Sequence, residues 1–165
     1  MDTSDVQETK QPLKIGGWLI LVAIGVVLSP IRLLMLMGTT YPGIFMDGTW
    51  EVLTIEGSAS YSPIWAPFLL GEMFVNAVFL ILGLYLAYLF FTKKASLPKW
   101  YLGLALCSSV FIVVDAYIVT LVLPEAEVFD QETLKEFFRS LVSLLIWSPY
   151  LLLSQRAKDT FINPS

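Results

Sequence analysis

Five polar side chains sit where an apolar chain should carry none: Arg32, Glu72, Asn76, Asp115 and Arg139, each inside a long hydrophobic run. An ionised group held at mid-bilayer depth costs about 2.5–3.5 kcal/mol on insertion scales, so each charge needs a reason to be there. Three reasons are open. Two arginines and two carboxylates at one level can neutralise each other and fix how helices associate. Alternatively, the arginines can bind an anionic group, and Asp115 or Glu72 can carry a proton. Finally, long arginines near an interface can reach headgroups without any protein partner.

These residues must be positioned by membrane helices. Of the 165 residues, 56% are hydrophobic and 15% charged, and the mean hydropathy is +0.73. That balance is wrong for water and right for lipid. A net charge of −4 and the lack of a basic stripe exclude nucleic acid as a partner. The single cysteine, Cys107, forms no internal disulfide, and with no histidine the commonest zinc ligand and general base are missing. No metal, cofactor or catalytic triad is expected.

A spanning helix needs about 20 mostly apolar residues. Gly16 to Met37, Pro67 to Phe91, Trp100 to Leu123 and Leu134 to Leu153 qualify. The reading is therefore all-α, a membrane-embedded four-helix bundle between a tail over 1–15 and a second tail over 155–165. The first run is long, carries Arg32 and lacks a small-residue cleavage site, which marks it as a retained span. Lys10, Lys14, Lys93, Lys94, Lys99, Arg156 and Lys158 flank the spans on one side, whereas Asp47, Glu51, Glu56, Glu125, Glu127, Asp130, Glu132 and Glu136 flank them on the other, with Lys135 the only loop cation there. Basic residues beside spans resist translocation, so both termini are expected in the cytoplasm. Trp18 and Trp100 would then anchor the inner boundary, Tyr61 and Trp65 the outer one. Arg156 and Lys158 lie where anionic headgroups of the inner leaflet would attract them.

Depth brings the five residues together. At 1.5 Å per residue, Arg32 lies about 24 Å and Asp115, Arg139 and Asn76 about 22 Å from the inner ends of their spans, with Glu72 one turn further out. The flanking stripes point the same way: Gly25, Ser29 and Arg32; Glu72, Asn76, Leu80 and Gly83; Gly103, Cys107, Phe111 and Asp115; Arg139, Ser143, Trp147, Tyr150 and Ser154. Spacings of three or four put each set on one helix face, and the small residues suit close helix approach.

The first outer connection, Gly38 to Ala66, is long. It holds Asp47-Gly48 before the strand-favouring run Thr49 to Ile55, which predicts a small β-hairpin or an ordered lid. Glu125 to Glu136 reads as a solvated acidic turn. Pro30 and Pro149, each after a serine, remove a helix donor and predict kinks. Cys107 reads as a small apolar filler.

Several strings resemble a bacterial four-helix membrane family catalogued as a domain of unknown function, DUF2569. They are Gly16-Gly17-Trp18-Leu19, Pro30 with Arg32, Tyr61-Ser62-Pro63-Ile64-Trp65-Ala66-Pro67, Glu72 with Asn76, and Asp115. They continue with Arg139-Ser140-Leu141, Ile146-Trp147-Ser148-Pro149-Tyr150 and the stretch from Ser154 to Phe161, in which Ala157 stands where the family pattern has valine. The resemblance covers most of the chain. It implies a bacterial inner-membrane protein and brings no activity with it.

The functional expectation is a non-enzymatic module that binds membrane lipid, a small ligand, a protein partner or a second copy of itself through its outer polar layer and loop. A small oligomeric transporter or channel subunit with a proton- or anion-linked site is the alternative.

Overall fold

The computed structural model describes residues 11–58, 60–123 and 127–164. The Lys10 and Glu125 of the charge pattern, and most of the first tail, lie outside them. Helix α1 covers Leu19–Met46, α2 Thr49–Thr54, α3 Trp65–Phe91, α4 Leu97–Val122 and α5 Gln131–Val142. A π-helical turn, Ser143–Trp147, joins α5 to α6 (Ser148–Leu153), and α7 (Gln155–Thr160) follows. Among the described residues, four helical segments are long and apolar enough to cross a membrane: α1, α3, α4, and the run Gln131–Leu153 made by α5, the π turn and α6. The expected bundle is present, with span ends shifted by a few residues except in α1.

Each spanning segment turns large apolar side chains outward, among them Leu28, Leu34, Phe74, Ile81, Val110 and Leu145. In water such a surface would drive aggregation; in lipid it is the solvated face. The buried core is gathered at one end, where Leu19, Val22, Leu86, Leu89, Phe90, Leu97, Leu151 and Phe161 pack together. Backbone hydrogen bonds tie that end further. Leu13 N–H donates to the Asp159 carbonyl, Ala95 N–H to Asn163 and Asn163 N–H to Lys93, and the Asn163 amide donates to the Thr92 carbonyl at 2.8 Å. The start of the chain, the α3–α4 connection and the C-terminal segment thus share one basic end.

Two expectations about the opposite end are corrected. Helix α1 does not stop near Met37 but runs nine residues further, to Met46. The Thr39 hydroxyl donates to the Met35 carbonyl at 3.0 Å, an internal bond that suits a turn emerging from lipid. The predicted hairpin is absent as well: no strand occurs among the described residues, and Thr49–Thr54 is helix α2. Asp47-Gly48, read as a hairpin turn, starts a helix instead. Gly48 takes φ +85° and Asp47 Oδ1 accepts from Thr49 N–H at 3.0 Å. The same two residues suit either turn, because both need a glycine at positive φ beside a short carboxylate. Nor is α2 a lid over the polar layer, since it packs against α1 and α3 and contributes nothing to the cavity described below.

Prolines act as expected at one place. Pro149 cannot donate to the carbonyl four residues back, and the ladder before it shifts to the wider π register, with Ser148 N–H reaching the Ser143 carbonyl. Pro30 sits within the continuous α1. It faces Gly83 of α3, where an added Cβ would lie 3.5 Å from the proline ring, so the close approach of α1 and α3 is made there.

Candidate functional site

α1 packs on α3, α3 on α4 and α4 on α5, whereas α1 and α5 scarcely touch. Helices that fail to meet leave a slot. It leads into a cavity of about 550 Å³ lined by all four spans, within the range of small-molecule sites. Along α1 the lining runs from Leu21 to Leu36, about 22 Å of helix. Toward the basic end the walls are apolar, formed by Val22, Val26, Leu86, Leu104 and Trp147; toward the acidic end they carry Arg32, Glu72, Asn76, Asp115, Glu136 and Arg139. All five residues picked out by depth line this one space.

They do not pair as expected. Arg32 bonds Glu136 of α5 rather than Asp115 or Glu72, with side chains 44% and 38% exposed. By sequence Glu136 belongs to the acidic turn, but α5 begins at Gln131 and carries it into the bundle. Glu72 is held by neutral donors: the Tyr41 hydroxyl donates to it at 3.3 Å, and the buried Asn76 amide donates to the Tyr41 oxygen at 2.8 Å. Tyr41 lies beyond the apolar run, in a stretch whose sequence reads as loop, and the helical extension of α1 delivers it. The side chains of Asp115 and Arg139 make no hydrogen bond or ion pair with a described residue. The charge-neutralised layer of two arginines and two carboxylates is therefore replaced by one cross-slot ion pair, one tyrosine–amide–carboxylate chain, and two charged groups facing the cavity.

The stripes are corrected in the same spirit. On α4, Phe111 and Asp115 line the cavity but Gly103 and Cys107 do not, and Cys107 is exposed. Repeated steps of four overshoot a 3.6-residue turn, so a straight i+4 line drifts off the inner face; Tyr101, Ala105, Ser108 and Ile112 hold it. On α3, Phe79 takes the place expected for Leu80. Gly25 meets nothing within 4 Å of an added Cβ, so it widens the cavity instead of admitting a neighbouring helix. Ser109 and Ser140, both buried, share a hydrogen bond where α4 and α5 do pack. Trp65, the first residue of α3, is buried at 8% exposure.

At the basic end, Arg156 and Lys158 are exposed. Arg156 also lies across the Gly16-Gly17 backbone, where a Cβ on Gly16 would meet its guanidinium at 2.5 Å. Gly17 takes φ +60°. This pair of glycines is thus the turn that seats a side chain of α7 at the start of α1.

Among the described residues no group of three His, Cys, Asp or Glu side chains is gathered as metal ligands would be. Just outside the spans, Asp47 and Asp130 are held below the usual carboxylate range by hydrogen bonds from Thr49 and Thr133 respectively. Both carboxylates cap helix starts, where negative charge is favoured.

The sequence pattern of a family described as "Protein of unknown function (DUF2569)" matches residues 12–162. The chain belongs to the DUF2569 family. No curated protein and no solved structure matches it. Membership and the four candidate spans make this DUF2569 chain a multi-pass membrane protein. Every string that carried the resemblance lies within the matched residues. In this DUF2569 protein the Gly16-Gly17-Trp18 and Arg156 strings meet at the basic end, and Arg32, Glu72, Asp115 and Arg139 meet around the cavity.

Proposed function

We propose that the protein is a non-enzymatic membrane module that holds a lipid or similar amphiphile in the slot between α1 and α5. The observation that carries this reading is the two-zone lining of the cavity, apolar from Val22 to Trp147 and charged from Arg32 to Arg139. A chain end and a polar end of one molecule would each find matching walls. In this reading the gap between α1 and α5 opens to lipid, and a ligand would enter sideways from the bilayer. That favours holding over transport. In this reading the basic end faces the cytoplasm of a cell's inner membrane, in keeping with its lysines and arginines. Arg156 and Lys158 would contact anionic headgroups there.

The test uses Gly25, which borders the cavity with open space beyond its Cα. Native mass spectrometry of the full chain released from mixed-lipid micelles should show a retained lipid. Gly25→Leu should lower the retained fraction severalfold while thermal unfolding stays unchanged. Equal retention by the two proteins would refute binding in this slot.

A further inference from the structure

The charged half of the cavity has an internal imbalance that narrows the class of ligand. Glu136 already occupies Arg32. Among the described residues the Glu72 carboxylate receives only neutral donors, the Tyr41 hydroxyl and the Asn76 amide. Asp115, half-buried on α4, has no cation against it among the described residues. Asp130 and Glu132 at the mouth add further negative charge, and Arg139 supplies the one cavity-lining cation that no described carboxylate engages.

A purely anionic head would have to displace Glu136 from Arg32 or sit between Arg139 and two carboxylates. At reduced dielectric the repulsion from Asp115 and Glu72 would outweigh one arginine. An ammonium group is attracted to those two carboxylates without displacing anything, and a phosphate beside it suits Arg139.

We infer that the slot takes a zwitterionic phospholipid, its ammonium against Asp115 and Glu72, its phosphate toward Arg139 and one acyl chain laid down the Val22–Trp147 half. This rests on the reading of the slot as an amphiphile site. The membrane is the source because the gap lies between two candidate membrane spans, α1 and the run Gln131–Leu153, and because the apolar walls continue from the cavity toward the basic end, where the packed core closes it.

The experiment uses the full chain in nanodiscs doped with phosphatidylethanolamine or phosphatidylglycerol, each carrying the same photoreactive diazirine on one acyl chain. Cross-links are mapped by peptide mass. The phosphatidylethanolamine probe should label the inward residues Val22, Val26, Leu86 and Leu104 about tenfold more than the phosphatidylglycerol probe, as expected for a charge-assisted contact. Asp115→Asn with Glu72→Gln should erase that preference while leaving chain labelling in place. Asp115→Asn alone should reduce it, and serves if the double variant does not fold.

Equal labelling by the two probes, a preference for phosphatidylglycerol, or a preference unchanged by the variants would overturn the zwitterion assignment and leave slot binding intact. Displacement of the probe by a phosphate-free long-chain amine at lower concentration than by unlabelled phosphatidylethanolamine would overturn the phospholipid part. Labelling confined to outward residues such as Leu28 and Val110 with both probes would instead remove the slot reading itself.

Discussion

Arg32 of α1 and Glu136 of α5 join the two helices that otherwise stand apart, so that among the described residues one ion pair bridges the open side of the bundle. Both side chains are more than one third exposed, which limits what the pair contributes. Its location matters more than its strength. It crosses the slot at the level of the charged half of the cavity, where loosening it would widen the entrance without touching the core at the basic end.

A double-mutant cycle on this pair should give a coupling of about 0.5–1 kcal/mol, as for other exposed or membrane-level polar contacts. Arg32→Ala and Glu136→Ala would be compared singly and together by unfolding in mixed micelles. Strict additivity would mean that the two groups do not interact in the folded protein.

The chain of hydrogen bonds from Asn76 through Tyr41 to Glu72 should cost more to break. Asn76 is buried at 9% exposure, and it is a donor to both Tyr41 and Glu72. Asn76→Leu should destabilise the protein by about 1–3 kcal/mol by leaving those oxygens under-satisfied. Tyr41→Phe should cost less, because Asn76 still reaches Glu72. A larger loss from Tyr41→Phe than from Asn76→Leu, read by the same unfolding assay, would count against this ordering.

The two glycines at the start of α1 should respond differently to alanine. Gly17 needs positive φ, so Gly17→Ala should cost about 1–2 kcal/mol whatever stands opposite. Gly16→Ala collides with the end of the Arg156 side chain, and its cost should vanish in an Arg156→Ala background. A Gly16→Ala penalty that persists there would place its cause in the backbone.

Helix α5 should fray at its first turn in acid. Asp130 accepts from Thr133 N–H at 2.8 Å, and that bond holds its carboxyl below the ordinary aspartate value. Because the folded value is the lower one, the stabilisation is fully present above the ordinary aspartate range. It is lost as pH falls through the depressed value. Amide exchange at Thr133, corrected for intrinsic rates, should lose protection over that acid window. In Asp130→Asn, whose amide oxygen caps without titrating, the corrected protection should not change with pH.

Hydropathy alone located the four spans, because lipid tolerates only long apolar helices whose backbone bonds are satisfied internally. Counting 1.5 Å per residue then placed Arg32, Glu72, Asn76, Asp115 and Arg139 at one level, since rise along a helix depends on residue number and little else. What that arithmetic could not supply was azimuth and partner. Whether Asp115 faces Arg139 or Arg32 depends on how each helix is rotated and on which helices touch.

Tertiary packing decided those matters. Proline at 30 against glycine at 83 drew α1 onto α3, the Ser109–Ser140 contact drew α5 onto α4, and α1 and α5 were left apart with a cavity between them. Glu136 became the partner of Arg32 because α5 begins early enough to carry it inward, and Tyr41 reached Glu72 because α1 continues past its apolar run. Asp47-Gly48 illustrates the same limit: its local chemistry serves a hairpin or a helix start equally, and the neighbouring helices α1 and α3, offering no strand to pair with, left only the second.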